Sequence, residues 1–169
     1  GVDVIIPLAQ GNRGQAQKVV ARLHDEGLIP GRVIVRPVFY DEPGLKAAST
    51  EGRAVETLPH RSKVVWEQAQ AEVLPFEALA EEIGRAHAAA KPMDTTFQVD
   101  APGGMPLCSL KSVPAVLPLV AADSGGGEQP PVCGSCTLYE VCNGQHPIHR
   151  LIHGAWTPSP YTTVPRALN

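Results

Sequence analysis

The stretch RVIVRPVFY, residues 32–40, decides the fold of this chain. Its run of β-branched and aromatic residues predicts a buried strand. A similar run at residues 2–8, VDVIIPL, predicts an earlier strand. Between the two, apolar residues recur at helical spacing from about Gly14 to Glu26, and Gly27 stands where a helix C-cap belongs. Strand, helix and strand with short connections predict a parallel βαβ unit and an α/β fold.

Residues 41–61 are polar, and this composition predicts an irregular loop. Loops that follow parallel strands often carry the chemistry of α/β proteins, so Asp41, Glu42 and Arg53 are candidate functional residues. A solvated surface loop is the other interpretation. Two helices are predicted next, at about 62–73 and 75–90. The expected core of the βαβ unit is Val4, Ile5, Val19, Leu23, Val33 and Val35.

The sequence changes character after residue 92. Alternation over 95–100, a turn at Pro102-Gly103-Gly104 and the run 105–108 predict a β-hairpin with Cys108 just past its bend. Three units are therefore expected: an α/β segment over 1–92, a small irregular cysteine-rich α+β domain over 93–155, and an extended or disordered tail over 156–169.

The composition excludes some classes of partner. A formal net charge of -3 leaves no broad basic surface for phosphates, so we expect no nucleic-acid partner. No apolar run is long enough to cross a bilayer and no secretory signal is visible, which predicts a cytoplasmic protein with no membrane partner. With 16 glycines and 17 prolines, much of the chain is expected to be loop.

The cysteines carry the strongest functional signal. Cys133 and Cys136 form a C-x2-C step, and Cys142 follows five residues later. Three cysteines so close together in a reducing compartment favour a metal over a disulfide. Thiolates bind soft or borderline metals, and a C-x2-C step lets two sulfurs converge on one ion or cluster. The sequence therefore predicts a metal or iron–sulfur site, with Cys108 as a further ligand.

The spacing of the cysteines does not decide which residues are the ligands or which metal group they hold. One possibility is a cluster held by three cysteines with a fourth position that is open or filled by a histidine, with His146 first and His149 and His153 as further candidates. Another is a cluster that includes Cys108. A third is a zinc ion closed by all four cysteines in a binding or interaction module without catalysis.

The order of these residues resembles the signature of a known family. Gly103-x4-Cys108, a gap, then Cys133-x2-Cys136-x5-Cys142 is similar to the SPASM domain, the auxiliary-cluster extension of many radical S-adenosylmethionine enzymes. The resemblance implies a [4Fe-4S] cluster and a peptide or protein substrate. It also implies that the α/β segment belongs to a partial parallel barrel, since RVIVRPVFY is similar to one of the strands of the radical SAM barrel.

Two departures from the family pattern limit this interpretation. No cysteine lies 9 to 15 residues before Gly103, and His146 stands where the pattern has its next cysteine, so one cluster is expected, as in the shorter twitch relatives. The C-x3-C-x2-C loop that holds the S-adenosylmethionine-cleaving cluster is absent. This chain alone is therefore expected to be inactive, and the catalytic residues stay unknown. Because the sequence opens at Gly1 inside a strand, we expect a fragment whose N-terminal half is missing or lies on a partner chain.

The loop after the first predicted strand is a candidate cofactor site. Gln10-Gly11-Asn12-Arg13-Gly14 precedes a helix and could hold an anion at its N-terminus. In a radical SAM barrel, this side would face S-adenosylmethionine, which makes Gly11, Asn12 and Arg13 the candidate residues. A plain strand-to-helix turn is the alternative.

Overall fold

The computed structural model describes residues 2–101, 104–121 and 127–168 and has a mixed α/β fold. Its sheet has three parallel strands in the order β1-β2-β3, where β1 is Asp3–Leu8, β2 is Arg32–Pro37 and β3 is Thr96–Val99. In register, Val4 lies beside Val33, which lies beside Phe97. The predicted parallel βαβ unit is confirmed.

Five α-helices lie in the described ranges, and the three that were predicted are found within two residues of their expected bounds. The helices are α1 Ala16–Asp25, α2 Pro43–Glu51, α3 His60–Glu72, α4 Phe76–Ala90 and α5 Pro147–His153. No helix among these residues is long and apolar enough to cross a membrane. Short 3-10 turns fill much of the remaining chain, at Gln10–Asn12, Val55–Thr57, Leu107–Leu110, Pro114–Leu119, Pro131–Ser135, Tyr139–Val141 and Arg166–Leu168.

The prediction that residues 41–61 are wholly irregular is wrong, because they contain α2. The Glu42 carboxylate caps this helix by accepting the backbone N–H of Leu45 at 2.7 Å, and Gly52 ends it with a left-handed φ of 67°. With only Leu45 and Ala48 buried, the helix has too few apolar positions to show a helical period in the sequence.

The predicted hairpin is also wrong. Its first half is β3, which pairs parallel to β2 and so does not fold back on a returning strand. Its second half is irregular and leads into the 3-10 turn that carries Cys108, and Pro106 within it has no N–H for a strand ladder. The predicted turn residues Pro102 and Gly103 lie outside the described residues.

The two faces of the sheet differ. One face packs on α1 and α4 and holds the buried residues Val33 and Val35. The other face carries ion pairs, Arg32 with Asp3 at 2.6 Å and Arg36 with Asp100 at 2.5 Å. Two expected core residues are exposed: Ile5, at 52%, alternates onto this second face, and Val19, at 42%, lies on the outer side of α1.

The core continues from the sheet into the cysteine-containing part of the chain. One cluster of buried side chains joins the helix-covered face of the sheet to Leu107, Leu110, Val116, Leu117 and Leu138. Cys136, Cys142, Trp156 and Tyr161 are partly buried against it. The tail therefore contacts the core through Trp156 and Tyr161, although it has little regular structure before Arg166.

Candidate metal centre

All four cysteines line one cavity. The space between its walls, together with the open solvent at its mouth, is about 460 Å³. Cys108 comes from the turn after β3, Cys133 from the turn at 131–135, and Cys136 and Cys142 stand on either side of the turn at 139–141. Each side chain is half-buried and none forms a disulfide. The structure thus brings together four residues that lie up to 34 positions apart in the sequence.

The three segments that carry these cysteines meet at one place, which we name the glycine junction: Gly104, Gly127 and Gly144. Backbones pass so closely here that a Cβ on Gly127 or Gly144 would overlap the carbonyl oxygen of a facing segment. Gly144 also has a φ of +70°, which side chains disfavour. Beside the junction, Glu128 and Gln145 exchange two backbone hydrogen bonds of 2.8 and 2.9 Å.

Hydrogen bonds to sulfur surround the cavity. Three of the four sulfurs accept an N–H group: Cys142 from the backbone of Leu107 at 3.4 Å, Cys136 from the backbone of Tyr161 at 3.4 Å, and Cys108 from the indole Nε1–H of Trp156 at 3.3 Å. Donors of this kind orient metal-bound thiolates and stabilise their charge.

The surroundings of the cysteines disfavour the deprotonated, negatively charged form of their thiols. Burial raises the pKa of Cys142, and the N–H groups of Leu107 and Gly144 only partly oppose it. Burial and the three neighbouring thiols raise the pKa of Cys133. A bound cation reverses this balance because it pairs with all the sulfurs at once, and coordinating thiols then lose their protons. The cavity is thus suited to a positively charged metal group rather than to four bare thiolates.

The four cysteines are ligands of the type that an iron–sulfur cluster takes. Within residues 2–101, 104–121 and 127–168, however, no group of three or more His, Cys, Asp or Glu side chains is placed to hold a metal ion. All four cysteines line the same cavity, and among the described residues the sulfurs of Cys108, Cys136 and Cys142 accept N–H groups.

The candidate histidines do not line this cavity. His146 caps α5 by accepting the backbone N–H of Ile148 at Nδ1, 3.2 Å away, and its ring stacks on Phe39 at 4.9 Å. The ring of His149 stacks on Phe76 at 3.6 Å. His153 bonds through Nε2 to a backbone carbonyl oxygen at 3.0 Å. These contacts place the histidines in the packing of α5.

The candidate cofactor loop follows the C-terminal end of β1 and does not line the cysteine cavity. The Asn12 side chain accepts the N–H of Ala9 at 2.9 Å and donates to a backbone oxygen at 2.7 Å. Arg13 pairs with Glu81 at 3.4 Å, and Gly11 has open space beside it. Gly11, Asn12 and Arg13 thus form the turn from β1 towards α1.

The three candidates in the loop after β2 have structural partners. Asp41 pairs with Lys46 at 2.5 Å, and Arg53 pairs with Glu51 at 2.5 Å. Lys46 lowers the pKa of Asp41, first through a hydrogen bond and then through its charge. Glu42 caps α2, and none of the three lines the cysteine cavity.

Sequence reasoning missed the residues that support the cysteines. Gln129 donates from Nε2 to the carbonyl oxygens of Cys142 and, at 3.1 Å, of Tyr139. Gln145 accepts the backbone N–H of Trp156 at 2.8 Å. No pattern marks a glutamine for such a role. An isolated tryptophan in a polar tail was the one available signal.

In this mixed α/β fold four cysteines line one cavity, and cysteine thiolates are common ligands of zinc and of iron–sulfur clusters. No protein-family model, curated protein or solved structure matches this chain. Its function is therefore inferred from its own residues and their geometry.

Proposed function

We propose that this chain is the auxiliary-cluster-bearing C-terminal part of a radical S-adenosylmethionine enzyme of the SPASM/twitch type, acting on a peptide or protein. The observation that carries the proposal is the arrangement of Cys108, Cys133, Cys136 and Cys142 around one cavity. When bound, a [4Fe-4S] cluster in this place would supply an electron-transfer centre or a contact for the substrate.

The surroundings of the cavity support this proposal. Each N–H group aimed at a sulfur stabilises negative charge on that ligand, which a cluster needs more than a structural thiol does. Gln129 fixes the turn that leads into Cys142, and the glycine junction holds the three cysteine segments together. The chain thus orients four ligands with its backbone and two glutamines.

The sheet gives independent support. Parallel strands in consecutive order are what a section of an α/β barrel has. Parallel sheets are normally covered on both faces. Here the face with the Arg32–Asp3 and Arg36–Asp100 pairs is largely exposed and also carries the exposed Ile5, as expected of a surface that another part of a complete enzyme covers. In that enzyme the loop with Gly11, Asn12 and Arg13 would lie beside S-adenosylmethionine.

We expect the protein, reconstituted anaerobically with iron and sulfide, to be brown, with iron and acid-labile sulfide near four of each per chain, as a [4Fe-4S] cluster requires. Cys136→Ala should abolish the visible absorption, because it removes a ligand whose place no other described side chain can take. Cys133→Ala should do the same. Ser135→Ala is the matched control, since it alters the same turn without touching sulfur. Stoichiometric zinc without sulfide would overturn the cluster and favour the zinc-stabilised module.

We also expect no 5′-deoxyadenosine when the reconstituted chain is supplied with S-adenosylmethionine and dithionite. Reductive cleavage needs an iron site with an open position, held by three closely spaced cysteines, and the C-x3-C-x2-C string is absent. Chromatographic measurement of the product tests this. Turnover that depends on Cys136 would contradict the division of labour proposed here.

A further inference from the structure

We propose that Trp156 is a positioning residue that sets the electron affinity of the cluster through its hydrogen bond to Cys108. Its indole Nε1–H points at the Cys108 Sγ across 3.3 Å. This inference rests on the proposed function, because it concerns the same four sulfurs. It adds a role for a residue of the tail.

The indole is held in place from several sides. The Gln145 side chain, only 6% exposed, accepts the backbone N–H of Trp156 at 2.8 Å and donates to the carbonyl oxygen of Gly154 at 2.9 Å. The Trp156 ring meets the Phe76 ring edge to face at 5.4 Å, which fixes its plane. Trp156 also lines the cavity. A donor with so few alternative positions stays aimed at the sulfur in both oxidation states.

A fixed donor to a ligand sulfur favours the reduced state. Reduction adds one electron to the cluster and makes its ligand sulfurs more negative, so a hydrogen bond to sulfur becomes stronger. The neutral indole keeps its proton, and no bond to sulfur forms or breaks. Among the described N–H groups that donate to the sulfurs, that of Trp156 belongs to a side chain, whereas those of Leu107, Gly144 and Tyr161 belong to the backbone. It is therefore the donor that a substitution can remove without changing the backbone.

The test is a redox titration of the whole reconstituted chain. Trp156→Phe keeps an aromatic ring against Phe76 and deletes the N–H. At a fixed applied potential we expect the ratio of reduced to oxidised cluster to fall about fivefold, the effect of deleting a hydrogen bond whose strength roughly doubles when its acceptor becomes more negative. Trp66→Phe is the matched control, because Trp66 packs in a separate cluster of apolar side chains around α2 and α3. The ratio of reduced to oxidised cluster in Trp66→Phe should equal that of the unchanged protein.

The outcomes separate the two proposals. If the unchanged chain forms no cluster, the proposed function fails. If the cluster forms and Trp156→Phe leaves its potential unchanged, the role of Trp156 fails alone. Should Trp156→Phe not retain a cluster, the Trp66→Phe protein labelled with indole ¹⁵N decides. Its one remaining tryptophan, Trp156, should show ¹⁵N hyperfine coupling to the reduced cluster, and absence of that coupling would overturn the inference.

Discussion

Protein stripped of its metal group is expected to unfold locally around the cysteines while the sheet and its helices stay folded. Residues 127–156 contain the one short helix α5, and their large buried apolar side chains are Leu138 and Ile148. Burial of so few apolar groups cannot offset about 1–2 kcal/mol of backbone entropy per ordered residue. Binding free energy at the cysteines is then folding free energy for this segment.

Limited proteolysis with chymotrypsin tests this expectation. Cleavage after Leu138 or Tyr139, identified by fragment mass, should become at least about tenfold faster without metal, because local opening exposes these bonds. Cleavage after Trp66 or Phe76 should change little and serves as the internal control. Ser135→Ala should behave like the unchanged protein in both states. Equal acceleration at all four sites, or no acceleration, would show that the cysteines do not stabilise the fold.

Acid is expected to destabilise the fold through His149. Burial lowers the pKa of His149 from 6.5 to about 3, and the neighbouring His153 lowers it further through a smaller electrostatic effect. Its Nε2 is buried without a hydrogen-bond partner among the described residues. In the unfolded chain His149 therefore takes up a proton below about pH 6.5, whereas in the folded chain it does so only below about pH 3. Stability is complete above that window and falls through it, by about 1.4 kcal/mol per pH unit.

A comparison of urea denaturation at pH 6.5 and pH 5.0 isolates this histidine. The unchanged protein should lose roughly 1.5–2 kcal/mol more over this interval than His149→Phe, which keeps a ring stacked on Phe76 but cannot take up a proton. The exposed His60 supplies the control, and His60→Phe should keep the full pH dependence. His146, whose pKa burial lowers to about 4, adds its own slope to all three proteins. Identical slopes for the unchanged protein and His149→Phe would refute the assignment.

Local patterns were enough to predict the βαβ unit. The β-branched runs around Val33 and Ile6 and the apolar period of α1 act over neighbouring residues, so sequence alone carries them. The predicted cysteines all line one cavity: Cys133, Cys136 and Cys142 are close in the chain, whereas the fold brings Cys108 to them. Their role as cluster ligands stays a prediction.

The misses share a physical cause, since they depend on contacts between distant residues. β3 joins β2 across a connection that includes three helices, and no local signal distinguishes this pairing from a hairpin. Ile5 has the composition of a core residue, but its exposure depends on which sheet face the helices cover. The N–H donors of Trp156 and Tyr161 come from a tail without periodicity, so only the folded chain shows them next to sulfur.

If the proposed function holds, the glycine junction would make metal affinity depend on residues that carry no ligand atom. The backbone bonds between Glu128 and Gln145 close a loop that contains Cys133, Cys136 and Cys142, and a metal group bound to these cysteines would close the same loop. Two interactions that close the same loop lower the entropy cost of each other, and each strengthens the other by the same free energy. A methyl group at Gly127 or Gly144 therefore weakens metal binding as a lost cross-link would, while every thiol stays in the sequence.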